Sequence, residues 1–255
     1  MDNNLPDKAT GPLARRTVFA YGVLCYSVGL LGLTAVILRC LGLIPVTGGF
    51  LGELDGASAW LVDGVLIAAF GIQHAIMARP WFKRWWTQQI PEAAERPTFV
   101  LLAGLLAGAI VWLWQPMPET VWEVESAVLG IALHALAVAG FLYLLTASFA
   151  IDHFQLFGLR QVFGHLRSRK VDEPRFVERL QYRFDRHPIM SGMLIGLWSV
   201  PCMTVDRLAL AGGLTFYIIV GVAIEERSLV HQHGETYRAY RRRVRSLVPP
   251  LPGAS

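Results

Sequence analysis

Four long apolar runs dominate the first 150 positions: Thr17–Leu43, Ala57–Met77, Pro97–Trp114 and Ser126–Ala150. Each is close to the ~20 residues that an α-helix needs to cross the hydrocarbon core of a bilayer. Two shorter runs, Ile189–Thr204 and Leu208–Ile224, flank the polar turn Val205-Asp206-Arg207, a pattern that predicts a helical hairpin. The predicted fold is all-α, a polytopic transmembrane bundle of five to six spans whose last two form the hairpin. The polar stretch Ile151–His187 is too short to hide a second domain and too charged to cross. Glu225–Arg245 reads as the last span running on into a basic interfacial helix, which Pro249, Pro250 and Pro252 then stop.

Composition strengthens the membrane reading. The chain is 54% apolar and only 16% charged, whereas soluble domains carry about a quarter charged residues. Positive charge sets the orientation. Lys8, Arg15 and Arg16 precede the first span; Arg79, Lys83, Arg84 and Arg96 lie between the second and third; a large basic set follows the fourth. Of 23 Lys and Arg, only Arg39 and Arg207 fall on the other side, where Glu53, Asp55, Glu119, Glu123 and Glu125 lie. Both termini are therefore expected in the cytoplasm, with the basic loops facing membrane lipids. The net charge of +4 follows from this asymmetry and implies no nucleic-acid partner. The first run is too long for a signal peptide and no Ala-x-Ala site follows it, so it is expected to remain. Cys25, Cys40 and Cys202 have no Cys-x-x-Cys spacing, so neither a metal site nor a disulfide framework is expected.

Orientation turns sequence position into depth. Gln73-His74 ends the second span, Asp152-His153 follows the fourth, Arg186-His187 opens the hairpin and Glu225-Glu226 closes it. Four polar clusters thus converge near the inner interface, and ionisable residues at such depth are candidate functional groups. Each also has an ordinary reading. His187-Pro188 suits a helix start with Pro in its first turn, Glu225-Glu226 suits a solvated helix end, and Tyr237 with Tyr240 suits an aromatic belt. His74 and His153 suit hydrogen-bonded interfacial histidines; Asp63 and His134, toward the outer side, look structural. His231 and His233 point apart on a helix and are discounted as a metal pair.

Arg186-His187-Pro188-x-x-x-Gly192, then Glu225-Glu226-x-x-Leu229 and Gly234-x-x-Tyr237-x-x-Tyr240, resembles the C-terminal half of the isoprenylcysteine carboxyl methyltransferases and phospholipid methyltransferases. The usual first motif has Tyr where this chain has Met190. The stretches Phe70–Pro80, Phe82–Trp86, Glu95–Thr98 and Asp152–Gln161 resemble the bacterial methanethiol S-methyltransferases, and the likeness runs from about residue 18 to 250. The resemblance implies a single integral-membrane enzyme domain over residues 1–255 in the bacterial inner membrane. Residues 17–150 would form a four-span acceptor side, and 151–255 a helical site for S-adenosylmethionine, released as S-adenosylhomocysteine. Tyr182, Arg186, His187, Pro188, Gly192, Glu225, Glu226, Tyr237 and Tyr240 would hold this cofactor.

The residue chemistry is compatible with thiol methylation. The thiolate is the nucleophile, so a base must take the thiol proton. His74 and His153 are available, with Gln73 nearby and Asp152 placed to orient an imidazole. Aromatic faces would hold a sulfonium by cation–π contact. The acceptor implied is methanethiol, a small volatile thiol, and the product dimethyl sulfide. An isoprenylcysteine carboxylate or a lipid amine is the alternative acceptor. A different class is a haem or transport accessory using His74, His134 and His153.

Overall fold

The computed structural model describes residues 11–172 and 178–247. Lys8 and the prolines at 249, 250 and 252 lie outside the described residues. The helices are α1 (Pro12–Cys40), α2 (Gly56–Met77), α3 (Pro80–Trp86), α4 (Glu95–Leu113), α5 (Ala127–Ala150), α6 (His153–Leu156), α7 (Leu159–Leu166), α8 (Pro188–Trp198), α9 (Val205–His233) and α10 (Glu235–Arg243). Of these α1, α2, α4, α5 and α9 are long and apolar enough to cross a membrane. Large apolar side chains such as Leu31, Ile131 and Phe216 stand exposed on them, as lipid-facing positions do when no water has to be met.

The predicted hairpin is asymmetric. Its first arm, α8, has 11 residues and is ~16 Å long at 1.5 Å per residue. The helix stops before Pro201, which restricts Val200 to extended backbone and lacks an N–H. The chain continues as strand β2 (Cys202–Thr204), which pairs antiparallel with strand β1 (Thr120–Glu123) between α4 and α5. The apolar run Ile189–Thr204 is therefore half helix and half extended ribbon. The second arm, α9, starts inside the predicted turn at Val205 and runs past Ile224 to His233.

Close helix contacts rest on glycines. A Cβ on Gly32 of α1 would sit 2.4 Å from the Gly104 carbonyl oxygen of α4, and one on Gly192 of α8 would sit 2.5 Å from the Gly140 carbonyl oxygen of α5. Small residues let backbones approach where lipid provides no hydrophobic drive for association. On α9, the buried stripe Leu210, Leu214, Ile218, Val222 faces the bundle. At the end of the bundle away from Pro12 and His233, Arg39 pairs with Asp206 at 2.9 Å, both buried. Trp114 Nε1 donates to the Asp206 carbonyl and Asp63 Oδ1 accepts from the Gln115 amide at 2.9 Å. This network ties α1, α2 and α9 to the end of α4, so Asp63 is structural, as its sequence position suggested.

Candidate active site

The C-terminal motif folds back on itself. Gly234, at φ 56°, ends α9 and starts α10; a left-handed φ of this kind favours glycine. The predicted continuous basic helix is thus broken, and α10 returns along α9. Tyr237 and Tyr240 are buried against Leu229, Val230 and Val244; they form no exposed aromatic belt. The Tyr240 hydroxyl donates to the Tyr182 carbonyl at 2.6 Å. Burial pushes the phenols of Tyr182, Tyr237 and Tyr240 up, with neighbouring carboxylates and phenols adding to it, so all three remain neutral donors. The chain beyond α10 lies beside the start of α8: Asp185 bridges Arg245, and the Arg186 amide donates to the Arg245 carbonyl at 2.8 Å.

Glu226 anchors this crossing. It continues the buried α9 stripe one turn beyond Val222. Its Oε1 accepts from Arg186 Nε at 2.7 Å and from Ser246 Oγ at 3.3 Å, and lies 3.3 Å from His187 Nε2. Its Oε2 pairs with Arg241 at 3.3 Å. Arg186 Nη1 also donates to the Arg241 and Val244 carbonyls. Arg186 and Glu226, both expected to bind cofactor, meet each other in this buried ion pair. Pro188 is the buried first residue of α8, and Gly192 makes the α5–α8 contact described above. Asp185 is fully buried; its Oδ1 accepts from the His187 amide at 3.0 Å and its Oδ2 from the Tyr143 hydroxyl at 3.2 Å. Burial raises the Asp185 carboxyl above the ordinary range, while Ser191, the His187 amide and Tyr143 oppose that rise.

Glu225 differs sharply from its neighbour. Its side chain is 52% exposed, and its only ion-pair contact among the described residues is His187 Nδ1 at 3.6 Å. Beyond burial, its charge adds to the rise of the Tyr182 phenol. Arg96, one of the basic residues that set the orientation, is the second residue of α4. Its Nε donates to the Leu156 carbonyl at 2.7 Å and its guanidinium lies 4.6 Å from the Phe99 ring centre.

His74 sits among aromatic rings: Phe70 at 4.2 Å, Phe99 at 4.9 Å and Tyr217 at 5.7 Å between ring centres. Its Nδ1 lies 3.1 Å from the Phe70 carbonyl. A carbonyl only accepts, so Nδ1 carries the proton, and in the neutral ring Nε2 keeps its lone pair. No described residue hydrogen-bonds Nε2. Beside it, the Gln73 amide nitrogen lies 3.4 Å from the Phe99 carbonyl, while buried Oε1 has no partner among the described residues. Tyr217 precedes Glu225 by eight residues, ~12 Å of helix rise. His74 and Glu225 therefore stand about two turns apart along α9, rather than at one depth.

His153 is different again. It is buried, stacked on Phe149 at 4.4 Å and 9°. Ser148 Oγ donates to the Leu145 carbonyl at 2.7 Å, so it accepts from His153 Nδ1 at 2.9 Å. His153 Nε2 is then the acceptor for the Tyr26 hydroxyl at 3.0 Å. Burial lowers the imidazole's affinity for a second proton, and the charge of Asp152 only partly offsets this. Asp152 does not orient the ring, contrary to expectation. At φ 83° it caps α6 through Gln155 N and pairs with Arg160. Gly158, at φ 87°, packs against Pro97. The Asp152–Gln161 motif is thus a joint between α5, α7 and the start of α4.

The donor set suits S-adenosylmethionine. The accessible Glu225 carboxylate fits an ammonium or ribose hydroxyls, Arg96 fits a carboxylate, the aromatic walls fit a sulfonium, and Gln73 Oε1 is a buried acceptor without a donor among the described residues. Among the described residues no group of three or more His, Cys, Asp or Glu is placed to hold a metal ion.

The chain is 38% identical over 245 residues to methanethiol S-methyltransferase 1 of Bradyrhizobium diazoefficiens, covering 96% of this chain and 86% of that protein. It is 44% identical over 191 residues to the methanethiol S-methyltransferase of Mycobacterium tuberculosis, covering 75% and 78%. Human nurim is 28% identical over 222 residues, covering 78% and 82%. No family model and no solved structure matches.

Proposed function

The chain belongs to the methanethiol S-methyltransferase family, and on that premise we propose that it transfers a methyl group from S-adenosylmethionine to methanethiol, giving dimethyl sulfide. The observation that carries this reading is identity of 37–44% to several such enzymes, in one case across 96% of the chain. When bound, S-adenosylmethionine supplies an electrophilic sulfonium methyl.

The chain's residues divide the remaining work. Glu225, Tyr182 and Arg96 would hold the donor's polar ends, with His187 supporting Glu225. Phe70, Phe99 and Tyr217 keep water from the thiol and present aromatic faces to positive charge. His74 Nε2 would take the proton from the thiol, leaving its sulfur as the nucleophilic thiolate. A small apolar acceptor and an apolar product both partition readily into such surroundings. Residues 17–150 in this reading supply the acceptor side and 151–255 most of the donor side of one domain, which the packing of α2 on α9 supports. In this reading both termini are cytoplasmic and α8 with β2 makes the sixth crossing, as a short helix completed by an extended segment.

Acceptor competition tests the reading. The purified protein, given radiolabelled methyl donor, is expected to label methanethiol and to leave an isoprenylcysteine and phosphatidylethanolamine unlabelled. Preferential labelling of either lipid would assign it to the other branch of the superfamily.

A further inference from the structure

A trough of about 1060 Å³ runs beside the last turns of α5, walled by Phe149 and Ala150 on one side and by Arg179, Leu180, Arg183 and Phe184 on the other. We propose that it binds an anionic phospholipid. Three observations converge. First, the trough is a built feature: Gln181 Nε2 donates to Thr146 Oγ1 at 2.7 Å and Arg179 Nε to the Ala150 carbonyl at 2.6 Å, pinning the 179–184 segment to α5. Second, its wall is apolar and open: Phe149, Leu180 and Phe184 are 53%, 62% and 55% exposed. They stand at the end of a span, where acyl chains meet headgroups.

Third, its positive charge has no acidic partner among the described residues. Four arginines of α10 have acidic partners: Arg238 and Arg242 on Glu235, Arg241 on Glu226, Arg243 on Glu178. Arg183 makes no ion pair among the described residues, and Arg179 commits only its Nε. Two guanidiniums above an apolar wall match a phosphate carried on acyl chains. A free phosphate would leave the apolar wall unused. The occupied segment is the one that presents Tyr182 to the site, so the lipid would brace the active site from behind. The proposal does not depend on which acceptor is methylated.

The test is native mass spectrometry of the delipidated full chain titrated with phosphatidylglycerol or phosphatidylcholine. One phosphatidylglycerol is expected to remain bound at concentrations where phosphatidylcholine does not. Because a basic residue near a membrane surface contributes ~1 kcal/mol, Arg183→Gln should weaken retention roughly 5-fold. Arg84→Gln, an exposed basic residue on α3, should leave it unchanged. Equal losses in both variants would reduce the effect to general attraction by the basic face and overturn the site. So would equal retention of the two lipids, or displacement by millimolar inorganic phosphate.

Discussion

His74→Ala is expected to lower turnover by about 10²–10⁴-fold, the usual contribution of a positioned general base, while S-adenosylhomocysteine binds as tightly as before. The expectation comes from tautomer logic. Of the two candidate bases, His74 and His153, only His74 keeps a nitrogen without a partner among the described residues, because the Phe70 carbonyl fixes the proton on Nδ1. His153 has Ser148 on one nitrogen and Tyr26 on the other. The two residues therefore predict different phenotypes. In His74→Ala, turnover should climb steeply with pH as thiolate forms without assistance, and the wild type should lack that slope. In His153→Ala, the loss should be of stability, since Tyr26 and Ser148 lose their partner in a buried place. A His74→Ala enzyme with unchanged turnover, or with the same pH profile as the wild type, would remove His74 as the base.

Adjacent glutamates should also separate. Glu226→Ala strips the counter-charge from buried Arg186, and breaking such a buried pair costs about 3–5 kcal/mol. Its melting temperature in detergent should fall markedly, and the Arg241-Arg242-Arg243 tail should become sensitive to trypsin. Glu225→Ala should leave the melting temperature and trypsin pattern unchanged yet lose most S-adenosylhomocysteine affinity, read by calorimetry. The reverse pattern, with Glu225 holding the fold and Glu226 the ligand, would contradict the assignment of roles.

Much of this was legible in the sequence for physical reasons, and some was not. Twenty-residue apolar runs have few other uses, so the long spans could be located from hydropathy alone, apart from their exact ends. The shortness of α8 was masked because Ile189–Thr204 is apolar throughout; Pro201 was the available signal. The different fates of Glu225 and Glu226 were also encoded, since Leu214, Ile218 and Val222 at four-residue spacing carry the buried stripe straight to Glu226. Arg96 lies within a motif, but its bond to the Leu156 carbonyl, 60 positions away, arises from packing between distant elements. The same is true of Tyr26 and His153, 127 positions apart. Local pattern reports which face a residue lies on. It does not report which remote side chain meets it there, and hydrogen-bond partners decide which histidine is free to act.

The central claim is that this chain itself moves a methyl group from sulfonium to thiol sulfur. Purified wild-type protein in lipid nanodiscs, given methanethiol and S-adenosylmethionine deuterated at the transferable methyl, tests it most directly by headspace mass spectrometry. The account predicts dimethyl sulfide three mass units heavier than the unlabelled compound, with one S-adenosylhomocysteine formed per sulfide. Dimethyl sulfide without the label, or consumption of the donor with no volatile sulfide, would contradict it.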